Sequence, residues 1–123
     1  MSLSDQLVLL PEILAHELHA DDVILTLRIP ENLSYFIGHF EQIPIVPGVV
    51  QIQWAVHYAQ EYLKVNKTFR HMEAVKFKDL LLSGQPLMLS LRYWPEPGKL
   101  EFRYYSESAE YSSGRIYFYN DSL

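Results

Sequence analysis

The stretch Pro47-Gly48-Val49-Val50-Gln51-Ile52-Gln53-Trp54-Ala55-Val56-His57-Tyr58-Ala59-Gln60-Glu61-Tyr62-Leu63-Lys64-Val65 decides how the rest of the chain must be arranged. Val49, Val50, Ile52, Ala55, Val56, Ala59 and Leu63 recur at helical spacing, and no further Pro or Gly interrupts the pattern until Gly84. Pro47 suits the first turn, where its missing N–H would have no intrahelical acceptor anyway. The spacing predicts one long helix of roughly 25 Å. Its apolar residues spread round most of the circumference, so the helix is expected to be buried on several sides. A sheet must wrap it.

On either side of that helix the period changes to two. Upstream, Ile13–His19 and Val23–Ile29 are separated by Asp21-Asp22, and Val23, Leu25, Leu27 and Ile29 share one face, which predicts a hairpin. From Pro30 to Pro47 the chain is irregular, punctuated by Gly38 and Pro44, and is expected to be a loop with aromatic content. Downstream, Leu87, Leu89, Leu91 and Tyr93 line one face of a strand. Pro95-Glu96-Pro97-Gly98 turns the chain, and Leu100, Phe102 and Tyr104 line the next strand. A second turn is predicted at Ser113-Gly114, leading into Ile116–Tyr119. A hairpin, one helix and an antiparallel meander make an α+β domain in which a curved sheet holds the helix.

Composition narrows what such a domain does. With 123 residues, 49% of them hydrophobic and 20% charged, the chain is expected to form a single domain over residues 1–123 with a genuine core, not a disordered tail. The absence of cysteine excludes a disulfide scaffold, a thiolate metal site and a cysteine nucleophile. A formal charge of −5 argues against broad electrostatic capture of nucleic acid or of an anionic membrane. Apolar runs such as Leu7–Leu10 and Leu80–Leu82 fall far short of the roughly 20 residues that a membrane span requires. No secretory signal pattern is present at the N-terminus, and the cytoplasm is the expected location.

The segment Phe36-Ile37-Gly38-His39-Phe40-Glu41-Gln42-Ile43-Pro44-Ile45-Val46-Pro47-Gly48-Val49-Val50 sets a histidine just ahead of the helix start. In one reading His39 is an ordinary loop histidine, and the Pro and Gly residues only end one element and begin another. In the other, Gly48 lets a ligand approach the backbone where the helix N–H groups and dipole favour developing negative charge. His39 would then stand beside an oxyanion site. An imidazole there can take a proton near neutral pH and return it.

The string FxGHFxxxPxxPGV, followed by a buried helix, resembles the signature of the hot-dog-fold 3-hydroxyacyl-acyl-carrier-protein dehydratases of fatty acid synthesis. Val75-Lys76-Phe77-Lys78 followed by Ser83-Gly84-Gln85-Pro86-Leu87 is similar to that family's KFRxPVxPGDxL strand and turn. Order and spacing agree from about Leu33 to Tyr119. The run from Pro47 to Ala55 further resembles the ApeI-like branch associated with aryl polyene synthesis. The resemblance implies a hot-dog fold, a homodimer with active sites at the interface, and an acyl carrier protein delivering the thioester, with no cofactor. It makes His39 the base that removes a C2 proton and Gly48 the amide that polarises the thioester carbonyl. Phe40, Val49 and Trp54 are the further residues expected at the acyl site.

One position departs from the pattern. Fourteen residues after its histidine the family carries Glu or Asp, where this chain has Gln53. An amide neither donates a proton as a carboxylic acid does nor accepts one as a carboxylate, so the usual acid–base pair is incomplete. Gln53 is expected to orient the leaving hydroxyl while His39 shuttles the proton. His57, one turn further along, is a second source of acid, read more simply as a buried, packed histidine. Glu41 is a third, on a loop. The alternatives to an active dehydratase are a catalytically weak acyl-binding subunit that partners an active one and, ranked last, a thioesterase.

Remaining features admit two accounts each. Trp54 and Tyr58 either reshape the acyl tunnel or simply pack the core. Lys64, Lys67, Arg70, Lys76 and Lys78 are either a docking patch for an acidic carrier or a solvated basic surface. His16, His19 and His71 lack ligand partners at helix-face spacing, so no metal site is expected.

Overall fold

A computed structural model describes residues 10–31 and 45–119. Among these residues, six strands and one helix follow in the order β1 (Glu12–Leu18), β2 (Asp22–Arg28), α1 (Gly48–Leu63), β3 (Phe69–Phe77), β4 (Pro86–Trp94), β5 (Lys99–Tyr105) and β6 (Glu110–Phe118). The strands form one sheet in the order β1-β2-β4-β5-β6-β3. Every pairing is antiparallel. This curved sheet with a single helix is the hot-dog arrangement.

Alternation explains why these segments pair as they do. Val23, Leu25 and Leu27 of β2, Leu87, Leu89, Leu91 and Tyr93 of β4, and Leu100, Phe102 and Tyr104 of β5 all point inward and are buried. On β6 the inward set is Ser112, Gly114, Ile116 and Phe118. A one-residue slip in any register would turn such a set out to solvent, so the pattern fixes the pairing. From the helix, Val50, Trp54, Ala55, Tyr58 and Ala59 close the other side of the core. The burial is on one face: Val49 is 62% exposed, and Gln53, Gln60 and Glu61 are exposed as well. Within one chain, α1 is therefore covered less completely than its apolar content predicts.

Both predicted strand pairs are present. The β1–β2 hairpin closes with the His19 N–H donating to the Asp22 carbonyl at 2.8 Å. At the β4–β5 turn, Gly98 adopts φ +87°, and an added Cβ would lie 2.9 Å from the Phe118 carbonyl oxygen. Only glycine fits both demands.

The turn predicted at Ser113-Gly114 is not there: both residues lie inside β6, and the chain reverses at residues 106–109, where the Ser106 N–H meets the Ala109 carbonyl at 2.8 Å. Gly114 has a packing reason instead. A Cβ at this position would come within 2.9 Å of the Phe102 ring and 3.0 Å of Val75 Cγ2, so the glycine lets two inward side chains meet across the sheet. The strand β3 was legible only at its C-terminal end, because its residues are mostly exposed and a shift in register at Ala74, with φ 54°, breaks the alternation.

Since Phe102 is only 2% exposed and has nowhere to move, Gly114→Ala is expected to cost about 1–3 kcal/mol in urea denaturation. An unchanged midpoint would show that the Phe102–Val75 contact tolerates a methyl group.

Candidate functional site at the start of the helix

The first turn of α1 is held in an unusual way. Helices commonly begin on a Ser, Thr, Asp or Asn whose side chain occupies one of the free N–H groups. Here the N-cap is Pro47, with no side-chain cap and no acidic residue in the first turn. The ladder starts with the Val50 and Gln51 N–H groups, both 3.1 Å from the Pro47 carbonyl. The amides of Gly48 and Val49 lie ahead of it, among the donors that a helix leaves without intrahelical acceptors.

What fixes this turn is a buried polar cluster. Gln51 is 3% exposed, and its Nε2 donates to the Val46 carbonyl at 3.1 Å. Its Oε1 accepts from the Ser112 hydroxyl at 2.6 Å, and its main-chain carbonyl accepts from the Tyr104 hydroxyl at 2.7 Å. Ser112 and Tyr104 are both 0% exposed. On its other side, the Val46 N–H donates to the Leu81 carbonyl at 2.9 Å. Burial, with a smaller contribution from Tyr58, holds the Tyr104 hydroxyl well above the ordinary tyrosine value, so it remains a neutral donor at working pH. Burial raises Tyr58 too, as do Glu61 and Tyr62.

Gly48 is the first residue of the helix, and the space a Cβ would fill is already taken. An atom added there would sit 2.6 and 2.7 Å from two carbons of the Phe77 ring. The glycine lets the side chain that ends β3 lie against the first turn. Phe77 itself is 53% exposed.

The residues singled out from sequence fall into distinct places. His39, Phe40 and Glu41 lie outside the described residues. Val49 and Gln53 are exposed one turn apart, on the same side of α1 as His57 and Glu61. Trp54 is 1% exposed, inside the core. His57 is half-exposed and not buried as expected: its Nε2 lies 3.5 Å from Glu61, a pairing one helical turn long that holds it at the surface. The five-residue basic patch is also divided. Lys64 bonds the Glu61 carbonyl at the helix end and Arg70 lies over the Tyr119 ring. Lys76 and Lys78 instead join Arg92, Arg103 and Arg115 around an open groove of about 500 Å³ on the outer face of the sheet. No group of metal-binding side chains occurs among the described residues, and no described helix is long and apolar enough to cross a membrane.

Sequence reasoning did not identify Gln51, Ser112, Tyr104 or Phe77 as parts of this site. Gln51 carried a signal, since it falls on the same helical stripe as Ala55, Tyr58 and Tyr62, a polar group on the core side. Ser112 carried none, because its partner lies 61 residues away.

A hot-dog sheet around a helix whose start is fixed from within defines the fold, and comparison with known proteins gives the family. Residues 15–115 match the family model described as ApeI-like, ApeI dehydratase, and the chain belongs to this dehydratase family. The dehydratase heterocomplex ApeI:P from Xenorhabdus doucetiae superposes with a TM-score of 0.79 at 33% identity, covering 87% of this chain and 96% of that one. An uncharacterized protein from Erwinia carotovora subsp. atroseptica gives a TM-score of 0.76, also at 33% identity, over 88% of this chain and 94% of the other. The 3-hydroxyacyl-[acyl-carrier-protein] dehydratase FabZ of Streptococcus sanguinis is 26% identical over 92 residues, 68% of this chain. That match spans 65% of the length of the Streptococcus enzyme.

Two measurements check this site. In urea denaturation, Gly48→Ala is expected to cost at most about 1 kcal/mol, because the half-exposed Phe77 ring can swing aside, and to become neutral or stabilising in a Phe77→Ala background. Equal effects in both backgrounds would show that the ring does not restrict this position. For Tyr58 and Tyr104 the folded chain holds its phenolic protons more tightly than the unfolded chain does. The unfolded state therefore releases protons first, and stability falls as pH rises past the ordinary value of 10.0. Urea midpoints are expected to drop from about pH 9 to about pH 11, whereas a flat profile would contradict the burial of these hydroxyls.

Proposed function

We propose that this chain dehydrates 3-hydroxyacyl thioesters carried on acyl carrier protein to trans-2-enoyl thioesters, in fatty acid or aryl polyene synthesis in the cytoplasm. The observation that carries the reading is the helix start. Its position is fixed without a capping side chain on Pro47, and it follows closely in the sequence on the segment that bears His39. Family membership and the FabZ relative support the reaction class.

In this reading the Gly48 amide donates to the thioester carbonyl, so that charge developing on that oxygen as C2 loses its proton meets a donor already in place. His39 takes the C2 proton. The C2–H electrons form the C2–C3 double bond as the C3–O bond breaks, and the proton held by His39 goes to the departing hydroxyl to give water. Gln53 orients that hydroxyl. Phe40 and Val49 line the acyl entrance, and Trp54, closed into the core, limits its depth. No cofactor takes part.

The same reading makes the working unit a dimer, one domain from each chain. The outer edge of β3 is unpaired among the described residues, and Phe69, Met72 and Phe77 on that strand are exposed. A nine-residue edge of this kind is a template for strand pairing. Exposure of Val49 and Gln53 suits residues that face another subunit. The similar Xenorhabdus doucetiae structure is a dehydratase heterocomplex, so a related chain and a second copy are both candidates for the partner.

The decisive test incubates purified protein with a 3-hydroxyacyl thioester, on carrier protein and on coenzyme A, and follows loss of water by mass spectrometry. Turnover is expected, preferentially on the carrier, with His39→Ala lowering it on the order of 100-fold or more. No turnover above that variant would overturn the dehydratase reading. Activity appearing only in Gln53→Glu would mark the chain as the weak, acyl-binding partner of another dehydratase.

A further inference from the structure

We infer that Gln51 is a positioning residue for the reaction proposed above: through Val46, Ser112 and Tyr104 it aims the Gly48 amide while leaving that amide free for the substrate. The inference rests on the dehydratase reading for its consequence, but on geometry for its content.

Any helix start that is to receive an oxyanion faces a conflict. A conventional N-cap oxygen would fix the turn, but only by occupying first-turn N–H groups and by placing electron density where the substrate's oxygen must develop its own. The present chain avoids this by reversing the polarity of the anchor. The cap position is a proline, which offers no side-chain acceptor. The holding bond runs instead from a side-chain N–H, Gln51 Nε2, back five residues to the carbonyl of Val46, just before Pro47. A carbonyl is thereby engaged and no amide is used up. The opposite face of Val46 is tied to Leu81, so the residue leading into the turn is held from two sides.

A single amide would still rotate. Gln51 does not, because its Oε1 is taken by Ser112 on β6 and its main-chain carbonyl by Tyr104 on β5. Gln51 Nε2 and Oε1 each have a partner, and all of this is buried, where a hydrogen bond is strong and an unpaired polar group costly. A purely structural role needs none of this. Apolar side chains of similar volume in place of Gln51 and Ser112 together would fill the core and leave only the Val46 carbonyl to be satisfied, so packing alone does not call for the cluster.

The test compares Gln51→Met and Ser112→Ala with Ile116→Val, a core trim on β6 that does not touch the cluster. In Gln51→Met, kcat is expected to fall on the order of 10- to 100-fold with KM changed less than about threefold, as for a displaced transition-state donor. Ser112→Ala is expected to fall in the same direction by less, and it serves if Gln51→Met does not fold. In ¹⁵N-resolved NMR spectra both variants are expected to shift the Gly48 and Val49 amide resonances. Ile116→Val should lower the urea midpoint and leave both kcat and those resonances unchanged. Unmoved Gly48 and Val49 resonances in Gln51→Met, or an equal loss of kcat in Ile116→Val, would overturn the inference. Should the wild type show no turnover, the proposed reaction fails, and the resonances alone still decide whether Gln51 sets the amide.

Discussion

The burial of one face of α1 against the inner face of the sheet is the constraint on which everything else depends. Val50, Trp54, Ala55, Tyr58 and Ala59 give up their contact with water only if β2, β4, β5 and β6 present apolar side chains at matching depth, and they do. Each fully buried large side chain contributes about 1.5–3 kcal/mol relative to exposure. The helix is therefore held tightly enough for its first turn to serve as a fixed reference. Glycine at position 114 is part of the same packing, since the Phe102 ring and Val75 Cγ2 occupy the space its Cβ would need.

On that frame the polar cluster acts with little freedom. Gln51 sits on the buried stripe, so its side chain cannot reach water, and its hydrogen bonds to Val46 and Ser112 satisfy it. The consequence for chemistry is directional. Gln51 holds a carbonyl and takes up none of the leading N–H groups, at the end of the helix where the dipole favours negative charge. The apolar contact between Phe77 and Gly48 closes one side of the same turn.

Much of this was legible in the sequence because the core-facing strands keep a strict period of two and the helix a clear period near 3.6. The β1–β2 hairpin, the β4–β5 pair and α1 all follow from that alternation. Gly114 misled because a glycine between polar residues looks the same whether it turns a chain or makes room for a ring. His57 misled because its helical stripe faces out in the single chain, beside Glu61. Gln51 went unread although it is a polar residue in an apolar stripe, and its partners on β5 and β6 lie more than fifty positions away, a distance that no local pattern encodes. The motif that suggested the reaction could be read directly, whereas the residue types that fix its geometry could be found only in three dimensions.

The central claim is that substrate oxygen meets the protein at the first turn of α1. Titrating the ¹⁵N-labelled protein with a stable 3-hydroxyacyl amide in place of the thioester tests this most directly. The account predicts that the largest amide shifts fall at Gly48 and Val49. Shifts confined to the outer face of the sheet, around Arg92 and Arg103, with the helix start unmoved, would contradict it.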